Sequence, residues 1–123
     1  MKIHSHKELN VFKSSFDLAL QIHQLSALFH SDEKFSLTDQ IRRSSRSVST
    51  NIAEAFMKRR YPKSFIAKLS DSEGEAAETQ VWLNFAFAFG YLDKMKVMEL
   101  EEKYDHIEAQ LITMIQNPNK WSI

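Results

Sequence analysis

Cysteine is absent from this 123-residue chain, glycine and proline occur only twice each, and the formal net charge is zero. Without cysteine there can be no disulfide, thiolate zinc site or cysteine nucleophile. So few glycines and prolines disfavour a turn-rich β fold and favour long helices joined by short connections. The N-terminal stretch MKIHSHKELNVF holds no continuous apolar run. Neither a secretory signal nor a membrane span is expected, and a cytoplasmic location follows as the default. P-loop and dinucleotide fingerprints are missing, as are internal repeats and low-complexity tracts. The length suits one domain with a single core.

The zero net charge hides a segregation. Residues 42–68 carry eight Lys or Arg against one acid, Glu54, whereas residues 69–110 carry ten acids against Lys94, Lys96 and Lys103. Either neighbouring helices neutralise each other, or one surface offers a basic patch to phosphate or to an acidic protein.

Apolar spacing predicts four helices, over residues 8–30, 37–59, 63–89 and 94–116. In the first, Leu18, Ile22, Leu25 and Phe29 recur at helical spacing, with Phe12, Phe16 and Ala19 widening the stripe. Ser36 followed by Asp39 resembles a capping box at the start of the second. Within that helix Ile41, Ser45, Val48, Ile52 and Ala55 share one side, while Arg42, Arg43 and Arg46 project within an arc of about 100° on another. Pro62 fits the first turn of the third helix, Phe65, Leu69, Ala76, Leu83 and Phe87 form its stripe, and Gly90 suits the left-handed position that closes it. Asp93 can cap the fourth, whose Val97, Leu100, Tyr104, Ile107, Leu111 and Met114 keep a 3–4 spacing. Asn117-Pro118-Asn119 ends it, and Trp121 is expected to fold back. Short connections make consecutive helices antiparallel neighbours, so the fold class is an all-α, up-down-up-down four-helix bundle.

A metal centre finds no support in this pattern. Glu54, Glu73, Glu75 and Glu78 suggest a carboxylate site, but a di-iron bundle needs Glu-x-x-His pairs. None of His4, His6, His23, His30 and His106 stands three residues after a Glu. No metal or cofactor is expected, and Glu75 and Glu78 should pair with a nearby Arg or Lys. Ser44, Ser45, Ser47, Ser49 and Thr50 lack a neighbouring histidine base and read as packing or boundary residues. Asn51 flanks the apolar stripe, either as a register-fixing buried polar group or as a boundary residue. Enzymatic function is not expected.

Two features point to binding. Trp82, Phe85 and Phe89 lie opposite the core stripe of the third helix, so that VWLNFAFAFG is apolar nearly all round. The chain ends, Trp121 included, cover this second face, or a second subunit does; large aromatic patches mark association sites, and a homo-oligomer is the reading taken. The second feature is basic. Arg42, Arg43 and Arg46 are followed by KRRYPK, which adds Lys58, Arg59, Arg60 and Lys63 around Tyr61, an aromatic able to stack on a base. These seven cations are the candidate nucleic-acid contacts, and a solvated turn with inter-subunit ion pairs is the plainer reading.

The ordered segments QIRRSSRSVSTNIAEA, YPKSFIAKLSDSEGEAAETQVWL and FGYLD resemble the bacterial four-helix-bundle protein family, from about Leu9 to Trp121. That family is also known for proteins encoded within intervening sequences of 23S ribosomal RNA genes. Its relatives include accessory proteins of diversity-generating retroelements, which partner a reverse transcriptase. The family's Arg-Arg and Asn-Ile-Ala-Glu positions match Arg42, Arg43, Asn51, Ile52, Ala53 and Glu54, while its usual next glycine is Ala55 here. The resemblance implies a ring of five subunits and non-catalytic work linked to nucleic acid, although this chain is neutral where those accessory proteins are basic. The function expected is therefore a non-enzymatic, homo-oligomeric adaptor for structured RNA or DNA, or for a nucleic-acid-processing protein. The alternative is a protein–protein interaction module with no nucleic-acid role.

Overall fold

Residues 3–121 are described in a computed structural model, which contains four α-helices and, among those residues, no strand. They are α1 (Asn10–Ser26), α2 (Leu37–Met57), α3 (Pro62–Ala88) and α4 (Lys94–Gln116), with short 3-10 turns at His6–Glu8, Ser31–Glu33 and Pro118–Lys120. Each helix packs on the next, and α4 returns to α1. No helix of the described residues is long and apolar enough to cross a membrane.

The caps explain where the helices stop. Gly90 takes φ of +80°, the left-handed geometry that closes α3 without a Cβ penalty. Asp93 accepts the Lys96 amide at 2.8 Å to open α4. Pro62 sits in the first turn of α3, as its missing N–H allows. The first helix is shorter than its apolar pattern. At its start, Ser5 and Glu8 form a separate capping box around the His6–Glu8 turn. At its end, Arg42 Nη2 takes the His23 carbonyl at 3.2 Å, and the chain tightens into Leu28 N–Leu25 O and Phe29 N–Ser26 O turns. The expected Ser36–Asp39 box is also corrected. Glu33 accepts both the Ser36 hydroxyl (2.7 Å) and the Leu37 amide (3.4 Å), while Asp39 is engaged by Arg43. In α2 the helix closes at Met57 rather than residue 59.

The core is layered as the spacing indicates, with Leu18, Ile22, Ile41, Val48, Ile52, Phe65, Leu69, Leu83, Tyr104 and Leu111 all removed from solvent. Each such side chain contributes about 1.5–3 kcal/mol when fully buried. Two aromatic positions depart from expectation. Phe87 is 46% exposed, because the buried line of α3 runs from Leu83 to Ala86. Phe16 is 51% exposed and lies beside the core instead of widening it. Trp121 packs against the core as expected.

A seam of small hydroxyl residues joins the first three helices. Ser15 and Ser49 share a hydrogen bond at 2.9 Å, Ser72 donates to the Val48 carbonyl at 2.8 Å, and Thr79 stands 2.8 Å from the Ser44 hydroxyl. Small residues let helix axes approach closely, and each buried hydroxyl then finds a partner across the short gap. These bonds also set the antiparallel register of α1, α2 and α3. Asn51 plays no such part: it is half-buried and donates to Ser47 of its own helix.

Candidate functional site

The seven candidate cations do not form one patch. Arg42, Arg43 and Arg46 stand near the start of α2, and Lys58 to Lys63 surround its far end. Twelve residues of helix separate Arg46 from Lys58, roughly 18 Å at 1.5 Å per residue. The first group is already engaged. Arg42 Nε donates to Ser26 Oγ at 2.8 Å, Arg46 Nη2 lies 3.1 Å from His23 Nδ1, and Arg43 pairs with Asp39 at 3.1 Å. At the turn, the Arg59 guanidinium lies 3.6 Å over the Phe56 ring, so this cation is folded onto the bundle. Lys58, Arg60 and Lys63 have no side-chain partner among the described residues, and Tyr61 beside them is 61% exposed. The accessible basic surface is therefore the turn between α2 and α3.

The aromatic face is continuous. Trp82, Phe85 and Phe89 follow one another at centroid separations of 5.9 and 5.8 Å, and Tyr91 continues the row to Phe29. Phe85 and Phe89 are about half exposed, whereas Trp82 is partly buried against the core with its indole N–H unpartnered. Among the described residues the chain ends do not cover this row: Trp121 lines a hollow with Ile3, Leu9 and Met114 at the other end of the bundle. Between the row and the start of α2 lies a groove of about 370 Å³ lined by Phe35 and Gln40. Glu33 braces its floor, held below the usual carboxylate range by hydrogen bonds from Ser36 and Tyr91.

Acidic residues continue the same side of α3. Asp71, Glu75 and Glu78 precede Trp82 at helical spacing. The Arg or Lys partners expected for Glu75 and Glu78 are not found among the described residues; Asp71 forms no ion pair there either, but it lies in the field of Lys68 one turn earlier. Burial, and then repulsion from Glu78, pushes the Glu75 carboxyl up. The segregated charge was visible in the sequence, but the failure of these acids to find a partner was not.

A second exposed apolar strip escaped the sequence reading. His6 packs edge-on to Phe12, Phe12 stacks on Phe16, and Leu20 follows one turn later, 52% exposed. His6 also lines a shallow hollow with Ala53 and Met57 of α2 and with Lys58 just beyond its end. The strip thus runs along the outer side of the α1–α2 pair. Phe16 and Leu20 stand four residues apart beside the stripe of Val11, Leu18 and Ile22, whereas Phe12 at the head of the line packs partly against the core, as expected.

The profile of 23S rRNA-intervening sequence proteins matches residues 7–113, which takes in nearly all four helices. The chain belongs to the 23S rRNA-intervening sequence protein family. Among solved structures it is similar to a protein of unknown function from the S23 ribosomal protein family of Bacteroides thetaiotaomicron. That likeness has a TM-score of 0.78 and 29% identity, over 86% of this chain and 95% of the other. No curated protein matches. For this member of the family, the matched span contains both the free cations of the α2–α3 turn and the aromatic row of α3.

Proposed function

We propose that this protein is a non-enzymatic adaptor that self-associates and offers the α2–α3 turn to the phosphate backbone of structured RNA or DNA. The observation that carries this reading is the turn itself. Among the described residues Lys58, Arg60 and Lys63 stand free of side-chain partners beside an exposed Tyr61, a combination suited to phosphate contact with base stacking. Self-association rests on the uncovered row of Trp82, Phe85 and Phe89, and the family resemblance suggests five copies. Rotation about an axis parallel to the helices places every copy's turn on one rim, which multiplies the charge presented. Family membership supports a link to ribosomal RNA genes without naming a ligand.

Fluorescence anisotropy with a labelled RNA hairpin and a DNA duplex tests this. Binding should weaken with salt, with a log–log slope of about −0.7 to −0.9 for each phosphate neutralised. The triple variant Lys58→Glu, Arg60→Glu, Lys63→Glu should lose most of the affinity and flatten that slope. Absence of binding at low salt, or equal binding by the variant, refutes the nucleic-acid reading. The second reading, a protein-interaction module, is favoured by the engagement of Arg42, Arg43, Arg46 and Arg59 within the chain. Protein partners that co-purify after nuclease treatment would support it.

A further inference from the structure

We propose that the open groove between α1 and α4 is a docking site for a lysine- and arginine-rich amphipathic helix of a partner protein. The groove is separate from the basic α2–α3 turn and from the aromatic row of α3, and it goes beyond the function proposed for them.

Loose packing leaves the groove open. Of the four seams around the bundle, the one between α4 and α1 is the loosest. Ser14, Asp17 and Leu18 of α1 stand there across from Glu99, Glu102 and His106 of α4, around a hollow of about 740 Å³. The short Ser14 and Asp17 side chains do not fill it, and the buried Leu18 gives it an apolar floor. Along α4 it extends from Glu99 to His106, roughly 10 Å or two turns, a span over which a docked helix can set anchors at i, i+3 and i+7.

The charge of the lining selects the occupant. Asp17, Glu99, Glu102 and Asp105 oppose Lys103 alone, a net of −3 with His106 neutral. Glu99 is met by Lys96 at 3.0 Å and by Lys103 at 3.4 Å, which leaves three acids. Asp17 and Asp105 accept only from the amides of Gln21 (2.8 Å) and Gln80 (3.1 Å), and neither they nor Glu102 form an ion pair among the described residues. The nearest other cations on these helices are Lys13, one turn before Asp17, and the titratable His106, one turn after Glu102. Among the described residues no group of acids could hold a single metal ion. The complement is therefore several cations spaced along a chain. Phosphate is repelled by the same charge, so this surface does not share the ligand proposed for the α2–α3 turn.

Two methionines make the complement amphipathic. Met95 and Met98 are 83% and 57% exposed and border a second hollow, which shares Glu99, Glu102 and Asp105 with the groove. Met95, Met98, Glu102 and Asp105 recur at i, i+3, i+7 and i+10, on one exposed stripe of α4. Flexible thioethers beside carboxylates suit a helix that is apolar on one side and cationic on its flanks. The chain's own α2 does not supply such a helix, because it is packed between α1 and α3 and its arginines are engaged at Ser26, His23 and Asp39.

Fluorescence anisotropy tests the proposal with a fluorescein-labelled leucine–lysine peptide about four helical turns long, its apolar residues at helical spacing. An isomer of equal composition that breaks the spacing, and spermine as competitor, are the controls. The designed peptide should bind the wild-type protein, and neither control should match it. The double variant Asp17→Lys, Glu102→Lys changes two exposed positions and should weaken binding by at least about tenfold, and Met98→Gln by about threefold. Glu78→Lys, the same kind of charge reversal on α3, should bind as the wild type does. Hydrogen exchange read by mass spectrometry should place the peptide's added protection on residues 14–21 and 95–106. Should the double variant misfold, Met98→Gln and the exchange map decide the matter. Absence of binding, equal binding of the broken-spacing isomer, displacement by equimolar spermine, or an equal loss in Glu78→Lys overturns the proposal. So does protection confined to the aromatic row. Unchanged peptide affinity in the double variant with an altered mass by light scattering also overturns it, in favour of a contact between copies of this chain.

Discussion

Removing the hydroxyl of Tyr104 should make the protein more stable. Tyr104 is wholly buried, and its hydroxyl makes no hydrogen bond among the described residues. Thr79 lies beside it, but the two hydroxyls do not meet hydrogen-bond geometry, and the Thr79 proton is directed to the Glu75 carbonyl or Ser44 Oγ, each at 2.8 Å. Burial drives the phenol far above its ordinary pKa, so it stays neutral at any working pH, and the cost is that of a desolvated, unpaired dipole. An unsatisfied buried hydroxyl costs about 1–3 kcal/mol, from which lost dispersion contacts of the oxygen subtract a fraction. Tyr104→Phe should therefore gain about 0.5–2 kcal/mol, raising Tm by roughly 3–5 °C per kcal/mol for a chain of this length. Urea unfolding followed by far-UV circular dichroism, at one fixed protein concentration, should show a higher midpoint at unchanged m. Tyr104→Ala on the same scale should cost about 3–5 kcal/mol, which calibrates the site. A loss of about 1 kcal/mol or more in Tyr104→Phe would refute the reasoning, since it would reveal a real hydrogen bond at that oxygen.

The two glycines should respond in opposite directions. Gly90→Ala forces a Cβ into φ of +80° and should cost about 1–2 kcal/mol, whereas Gly74→Ala adds a methyl in open space inside a helix and should gain about 0.5–1 kcal/mol, both read from thermal melts. Glu75 links stability to pH. Its folded-state pKa lies above the ordinary 4.5, so the folded state binds the proton more readily than the unfolded one, and stability should rise as pH falls from neutral through that raised value. In the Phe85→Glu background, where a neighbouring copy should be absent, Glu75→Gln should flatten that rise and add about 0.2–0.5 kcal/mol at neutral pH, checked by urea midpoints across the range.

Much of the fold was legible because its signals are local. The 3–4 spacing from Val97 to Met114, the glycine at position 90 and the aspartate at 93 each act within a few residues, and all three took the roles their chemistry implies. The first helix was over-read because its true end depends on Arg42, sixteen residues further along, reaching back to Ser26 and His23. Glu33 displaced Ser36 as the cap of α2 for a similar reason: its position is set by Tyr91 from the α3–α4 loop. Of the candidate site, residue type was readable and availability was not. Arg59 and Arg60 are adjacent and chemically equivalent in the sequence, yet one lies over Phe56 and the other stands free. Only tertiary placement separates them.

The hydroxyl seam links these local and tertiary levels. A bundle cored entirely with leucine would hold α2 at a larger distance from both neighbours and leave its axial register loosely specified. Here Ser44 and Ser49 on α2, with Ser15, Ser72 and Thr79 opposite, allow close approach and then require particular partners, because a one-turn slip would strand several buried hydroxyls. Register in the core dictates which surface residues share a height, and it sets Arg46 of α2 near the level of Glu75 and Glu78 of α3. A serine-rich helix interior therefore has a consequence at the surface. The same residues that look inert as nucleophiles decide which side chains of neighbouring helices stand side by side on the outside of the bundle.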